Sequence, residues 1–112
     1  METKIGKIHS IKIGFADYKD CQLGISVIIF GGGKDLFALF DFKGFWSGLP
    51  DSNAQWTIQD QRNALGDALL WLGEILKLTG KKTVEELVGV PVEVTFEDNM
   101  VMKSWRVLEE VI

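Results

Sequence analysis

Four tryptophans give the strongest chemical signal in this chain: Trp46, Trp56, Trp71 and Trp105. An indole ring can stack on a nucleobase, and such stacking contributes about 1–3 kcal/mol per base. It can also anchor a protein interface, where tryptophan is enriched among the residues that dominate affinity, or it can fill a core. The pattern predicts binding rather than catalysis, with Trp105 assigned mainly to the core.

The segment 43–56, KGFWSGLPDSNAQW, is where the sequence predicts a binding site. A loop of this length is uncommon in a compact domain unless it binds something, covers something or is disordered. Disordered segments are poor in large apolar residues, so the aromatic content favours a functional loop. The predicted ligand-binding residues are Phe45, Trp46, Trp56, Lys43 and Arg106, the last two as sources of positive charge.

Catalytic and metal-binding chemistry has little support. His9 is the single histidine, and its neighbour Ser10 is expected on the opposite face of a strand because adjacent strand residues alternate. Cys21 is the single cysteine, so neither a paired zinc-ligand spacing nor an internal disulfide is available. The sequence predicts no enzyme activity, no cofactor and no metal.

Composition narrows the class of partner. The 16 acidic and 12 basic residues give a net charge of −4, which counts against nucleic acid as a partner. No run reaches the roughly 18 apolar residues of a membrane span, and the N-terminal METKIGKIHS lacks the apolar stretch of a signal peptide. We expect a cytoplasmic protein that does not bind membranes.

Three strands are predicted before the loop. Residues 11–15 alternate with the period of two of a half-buried strand, and a bulge is expected near His9 because the apolar spacing shifts there. Residues 23–30 and 36–42 are apolar on both faces, which indicates strands covered on both sides. Gly31–Gly33 between them predicts a tight hairpin.

A long amphipathic helix is predicted next. Thr57 is a suitable N-cap with Asp60 in the first turn, and Gly80 ends the helix. Apolar residues at helical spacing form one broad stripe that is predicted to face the core. They are Ile58, Leu65, Leu69, Leu72, Ile75, Leu76 and Thr79.

The other side of this helix predicts self-association. Trp71 and Leu78, seven residues apart, fall opposite the stripe. Gly66 and Gly73 leave a shallow flank where another backbone can approach. We therefore predict an oligomer interface at these residues, and hence a homo-oligomer.

The remaining chain predicts a short helix and then a C-terminal hairpin. Residues 90–96 alternate as a fourth strand, and residues 100–112 return as a fifth, although 106–112, RVLEEVI, also fits a helix. The predicted architecture is a single α+β domain over residues 1–112. It has an antiparallel sheet of about five strands, as a three-strand meander and a hairpin, packed on one long amphipathic helix plus a short helix.

The order of these features resembles small uncharacterised proteins of bacteriophages and prophages. The similarity is carried by Gly14-x-x-Asp17 before an apolar strand and a glycine segment, and by TGKKTVEELVGVPVEV at 79–94. Those proteins have a histidine after the aspartate, where this chain has Tyr18. The resemblance implies a phage accessory protein that acts in the host cytoplasm.

The first functional hypothesis is a non-enzymatic, counter-defence type of binding protein. Its aromatic loop would take a small nucleotide-like signal or a host protein. The alternative is a single-stranded nucleic-acid-binding protein of phage replication or recombination, which stacks bases on a small curved sheet. A purely structural or assembly protein is the third hypothesis.

Overall fold

The computed structural model describes residues 2–16, 19–32, 36–98 and 101–108. The elements are β1 (Glu2–Phe15), β2 (Gln22–Gly31), β3 (Phe37–Trp46), α1 (Ile58–Thr79), a 3₁₀ turn (Val84–Leu87), β4 (Pro91–Phe96) and β5 (Met102–Val107). The predicted α+β class, with five strands, one long helix and a short one, is confirmed. Asp17, Tyr18 and Gly33, used in the sequence argument, lie outside the described residues.

All neighbouring strands in the sheet are antiparallel, in the order β3-β2-β1-β4-β5. The first three strands form the predicted meander, and β4 returns to the free side of β1 before the β4–β5 hairpin. The order β3-β2-β1-β4 is that of a Greek key. The 14-residue length of β1 allows this, because residues 2–7 pair with β4 while residues 6–15 pair with β2.

The sheet curls until its two outermost strands meet. The indole Nε1 of Trp105 on β5 donates a hydrogen bond to Oδ2 of Asp41 on β3, at 2.7 Å. Phe37 of β3 packs edge-on against Phe96 of β4, with ring centroids 5.6 Å apart. Because these strands are not hydrogen-bonded neighbours in the sheet, the contacts describe a partly open five-stranded barrel.

The concave side of the curled sheet, here called the inner face, holds the core. Helix α1 packs mainly against β3 and also touches β2 and β5. The buried apolar residues come from the inner face, from α1 and from the segment around the 3₁₀ turn. They are Ile8, Ile11, Ile25, Val27, Ile29, Ala68, Leu72, Ile75, Leu87, Val90, Val92, Val94, Phe96 and Val107.

Local signals set both ends of α1. The Thr57 hydroxyl accepts a hydrogen bond from the Asp60 amide at 3.1 Å, and the Asp60 carboxylate accepts one from the Thr57 amide at 2.9 Å. This reciprocal pair is a capping box, which satisfies two amides that the first turn leaves without a helical partner. Gly80 ends the helix with φ 72°. The predicted limits of the helix are confirmed.

Strand β3 is longer than predicted. The sequence predicts its end at residue 42, but the strand continues to Trp46. Phe45 and Trp46 are therefore strand residues, and the loop is shortened to residues 47–57. The reason is a close approach of β2 and β3, where Gly44 lies opposite Gly24. A Cβ on either glycine would collide with the backbone of the other strand. Gly44, a residue type typical of loops, is therefore required for the pairing of β3 with β2.

The C-terminal strand resolves one of the alternatives left open by the sequence. Arg106 and Val107 belong to β5, so the helical alternative is wrong for these two residues. The Nε of Arg106 donates to the Glu93 carboxylate on β4 at 3.1 Å, as a cross-strand pair. Residues 109–112 lie outside the described part of the chain.

Candidate functional site

The convex side of the sheet, here called the outer face, is exposed and unusually apolar over β1, β2 and β3. Strand register assigns its members, because residues directly opposite one another lie on the same face and alternate with the buried positions. Ile5 is assigned through β4, where it lies opposite Glu93. The residues with large apolar, aromatic or positively charged side chains on this face are called the outer platform. They are Ile5, Lys7, His9, Lys12, Ile28, Phe30, Phe40, Phe42 and Trp46.

The platform exposes large apolar side chains that a one-layer sheet normally replaces with polar ones. The exposed fractions are 56% for Ile5, 43% for Phe30, 56% for Phe40 and 44% for Trp46. Contiguous exposed apolar surface of this kind marks a site of interaction in a soluble protein. The outer platform is therefore the leading candidate for a functional surface.

The charge on this face is opposite in sign to that of the whole chain. Lys7 and Lys12 are exposed on the outer face of β1, and no carboxylate stands among the outer-face residues of β1, β2 and β3, all of which are described. Asp41 belongs to the inner face, where it binds Trp105. The net charge of −4 is thus located elsewhere, and the platform is positive in an acidic protein.

A β-bulge adds His9 to the platform. The register of β1 against β2 shifts between Ile8 and Ser10, which confirms the predicted bulge. The imidazole of His9 stacks on the ring of Phe30, with centroids 4.0 Å apart and planes 15° apart. Ser10 also faces outward, opposite Ile28, so the expectation that His9 and Ser10 lie on opposite faces is wrong. The bulge enlarges the flat aromatic area.

A cleft adjoins the platform where β3 passes into the loop 47–57. It has a volume of about 490 Å³, and both Trp46 and Trp56 line it. This volume lies within the range of small-ligand sites. Because Trp46 is also the last outer-face residue of β3, one wall of the cleft is the end of the platform.

The loop around this cleft is held by side-chain hydrogen bonds. The Gln61 carboxamide on α1 donates to the carbonyl oxygens of Trp46 at 2.7 Å and Gly48 at 2.8 Å. The Ser47 hydroxyl donates to the carbonyl of Asp20 at 2.6 Å, which ties the loop to the segment before β2. The cleft walls are therefore fixed from two sides before any ligand binds.

No protein-family model, curated protein or solved structure matches this chain. The chemistry of the site is therefore the basis for a function of this chain. Among the described residues, no group of three or more His, Cys, Asp or Glu side chains is arranged to hold a metal ion. Within that same part of the chain, no helix has both the length and the hydropathy that a membrane span requires.

The structure brings together only some of the predicted ligand-binding residues. Trp46 and Trp56 line the cleft, and Phe45 packs against Trp56 with ring centroids 5.2 Å apart. Lys43 and Arg106 are not among the residues that line it. The Lys43 ammonium instead lies 5.5 Å from the centroid of the Trp71 ring, on the inner face, and Arg106 pairs with Glu93 on the β4–β5 hairpin. The structure thus places Lys43 and Arg106 away from the cleft, and their contribution of positive charge to ligand binding stays a prediction.

Sequence reasoning missed the platform itself. Strands β2 and β3 are apolar on both faces, a pattern that predicts coverage on both sides. A single long helix can cover only one face of a sheet, and α1 covers the inner one. The apolar outer-face residues, with Lys7 and Lys12 beside them, were therefore the available signal for an exposed binding surface.

The helix presents different residues from those predicted. Trp71 was placed opposite the core, but it packs against the core and contacts Trp105 edge-on at 5.7 Å. The curl of the sheet is the reason, since it carries β5 round to the helix. Leu69, predicted to be in the core, is 61% exposed, and Leu78 is 52% exposed. The placement of Trp71 opposite the core is therefore wrong, and the apolar exposure lies on other residues of α1. The oligomer interface at Trp71, Leu78, Gly66 and Gly73 stays a prediction.

Alanine in place of Gly66 and Gly73 tests whether another helix approaches this flank. A Cβ at either position meets nothing within 4 Å in the single chain. Each substitution should therefore stabilise the monomer, by about 0.5–1 kcal/mol, because glycine weakens a helix interior. Urea unfolding and light scattering measure the two quantities involved. An unchanged oligomeric state with raised stability removes the glycine flank from any interface, whereas dissociation supports the predicted close approach.

Proposed function

We propose that this protein binds single-stranded nucleic acid on the outer platform. The observation that supports the proposal best is the combination of exposed aromatic rings with lysines, and the lack of carboxylates, on the outer face of β1–β3. Single-strand binding uses the same two elements, since bases stack on aromatic side chains and phosphates lie along positive charge. Phe30, Phe40 and Trp46 supply rings, and Lys7 and Lys12 supply charge.

The architecture adds an argument by analogy. OB-folds are five-stranded, partly open Greek-key barrels that bind oligonucleotides on the face of their second and third strands. This chain has the same class of barrel, and the aromatic members of its platform lie mostly on β2 and β3. Fold alone does not determine function, so the analogy supports the proposal without carrying it.

The length of the platform favours an oligonucleotide over a mononucleotide as the ligand. From Phe40 to Trp46 the strand covers about 20 Å, with outward residues roughly 7 Å apart. A single nucleotide signal would cover only part of this length. Two copies packed face to face would bring Lys7 and Lys12 of each copy towards an equally positive surface, so the charge favours an anionic partner over self-association.

The setting that the sequence resemblance implies fits this activity. A phage accessory protein of replication or recombination meets single strands of varied sequence. Stacking provides affinity for such strands because every base has an aromatic face. The counter-defence hypothesis keeps one supporting feature, the cleft beside Trp46 and Trp56, which is large enough for a small ligand.

Salt dependence of oligonucleotide binding tests the proposal directly. Each phosphate that a lysine neutralises on a single strand changes the logarithm of affinity by about −0.7 per logarithm of salt. With Lys7 and Lys12 engaged, we expect a slope of about −1.4, falling towards zero in the K7Q/K12Q variant. Fluorescence anisotropy of a labelled oligonucleotide measures the slope. Lys77→Gln on α1 is the matched control and should leave it unchanged.

Two results would contradict the proposal. The first is a lack of oligonucleotide binding at low salt. The second is a slope that Lys77→Gln reduces as much as K7Q/K12Q does, because attraction would then come from the charge of the whole protein. Light scattering on the same samples shows whether the platform is instead covered by a second copy.

A further inference from the structure

The cleft at the end of the platform has a lining that suits a nucleobase better than a phosphate. Two indole rings, of Trp46 and Trp56, form part of its wall, together with Leu49 and Pro50. Among the described residues that line the cleft, Asp51 is the single one with a charged side chain. A carboxylate repels a phosphodiester, whereas flat apolar walls accept an aromatic ring. The chemistry of the cleft therefore differs from that of the lysine-bearing platform beside it.

Trp46 connects the two surfaces. It lies opposite Gln22 on the outer face of β3, and it also lines the cleft. A single nucleic-acid strand whose bases stack along the platform towards Trp46 reaches the mouth of the cleft with its next base. The loop that forms the cleft is anchored by Gln61 and Ser47, so the space exists before the strand arrives.

The polar groups of the loop suggest which bases are favoured. The carboxylate of Asp51 accepts a hydrogen bond from the backbone amide of Asn53 at 2.9 Å, and this Asx turn orients the carboxylate. A carboxylate is an acceptor only, whereas the exposed carboxamide of Asn53 both donates and accepts. Adenine, cytosine and guanine have exocyclic amino groups that donate to a carboxylate. Thymine and uracil have carbonyl oxygens in place of these amino groups, so their ring N3–H, which lies between two carbonyl oxygens, is the one Watson–Crick-edge donor they offer to Asp51.

We infer that the cleft between Trp46 and Trp56 receives one unstacked base of the bound strand, and that it favours an amino-bearing base over thymine or uracil. This inference rests on the proposed function, because the platform delivers the strand to the cleft. Binding then has two parts. The platform holds several nucleotides without regard to sequence, and the cleft adds a preference at one position.

Photochemical cross-linking tests the inference on the unmodified protein. Oligonucleotides with 5-iodocytosine at a single position, varied along the strand, are irradiated with the protein, and the adducts are mapped by mass spectrometry. We expect one position of the strand to cross-link to Trp56 or its loop neighbours, while other positions cross-link to the platform. Adducts confined to Phe30, Phe40, Phe42 and His9 would overturn the cleft assignment and leave the proposed function intact. Absence of saturable binding would remove both.

Base preference provides the second readout. We expect cytosine oligonucleotides to bind more tightly than thymine oligonucleotides of equal length, by about two- to tenfold, the usual net contribution of one hydrogen bond. Trp56→Ala should abolish the difference, and Asp51→Asn, which keeps the acceptor for the Asn53 amide, should reduce it. Because Trp56 also packs on Phe45, the Asp51 variant protects the test from a folding defect. Equal affinity for the two oligonucleotides would contradict the preference.

Discussion

Replacement of Phe40 by alanine is expected to weaken binding of a single-stranded oligonucleotide by about 5- to 150-fold. This range is the usual stacking contribution of 1–3 kcal/mol per base, at roughly tenfold per 1.4 kcal/mol. Phe40 lies at the centre of β3 on the outer face, and 56% of it is exposed. Its removal therefore takes little from the core, so the loss should appear in affinity rather than in stability. Anisotropy titration and thermal unfolding measure the two effects.

Phe15→Ala is the matched control for this prediction. Phe15 is 47% exposed in the same sheet, but it lies opposite Leu23, which places it on the inner-face register at the far end of β1. The control variant should bind the oligonucleotide as the unmodified protein does. Equal losses in the two variants would show that any exposed phenylalanine contributes, and the platform would lose its special role.

Replacement of Asp41 by alanine is expected to destabilise the protein by about 1–3 kcal/mol, the usual penalty for a polar group that loses its partner in a buried setting. The Asp41 carboxylate accepts the Trp105 indole hydrogen bond at 2.7 Å, in a partly buried position where β3 and β5 meet. Without this acceptor, the indole N–H of Trp105 loses its hydrogen-bond partner at the contact between β3 and β5. The free energy of unfolding in urea measures the effect.

Asp41→Asn distinguishes the hydrogen bond from other roles of this side chain. The carboxamide oxygen can still accept from the indole, so this variant should retain most of the stability that alanine loses. A stability of Asp41→Ala equal to that of the unmodified protein would mean that the contact between the outermost strands does not hold the barrel closed. Trp105→Phe should in turn be destabilised, because it leaves the carboxylate without the indole donor.

The features that could be predicted from the sequence are those set by neighbours along the chain. The capping box of Thr57 and Asp60 and the terminal Gly80 act within a few residues, so both ends of α1 could be located. The alternation of apolar residues in β4 is equally local, and its prediction is confirmed. Strand number and class then follow from the order of such elements.

The features that could not be predicted depend on contacts between distant segments. Trp71 contacts Trp105 because the sheet curls. The spacing of apolar residues within α1 gives no information about the curvature of the sheet. Gly24 and Gly44 face each other across β2 and β3, but each by itself looks like a loop residue. For the same reason the sequence predicts Lys43 in the loop, although its position in β3 turns its side chain to the inner face.

The net charge of the whole chain differs in sign from the charge of the outer platform. A net charge of −4 counts against a nucleic-acid partner when the chain is treated as uniform. Strand register separates the charges, because Lys7 and Lys12 share a face from which the carboxylates of β1–β3 are absent. A composition-based exclusion is valid only for non-specific attraction to the whole molecule, and it does not apply to one face of a sheet.

The positions of the four indoles divide the protein into two optical regions. Trp71 and Trp105 form an edge-on pair at the closure of the barrel, while Trp46 and Trp56 stand together around the cleft. Quenching of the second pair would follow a ligand, and a spectral shift of the first pair would follow opening of the barrel. The fluorescence of the unmodified protein therefore has one component that reports occupancy and another that reports unfolding, without an attached dye.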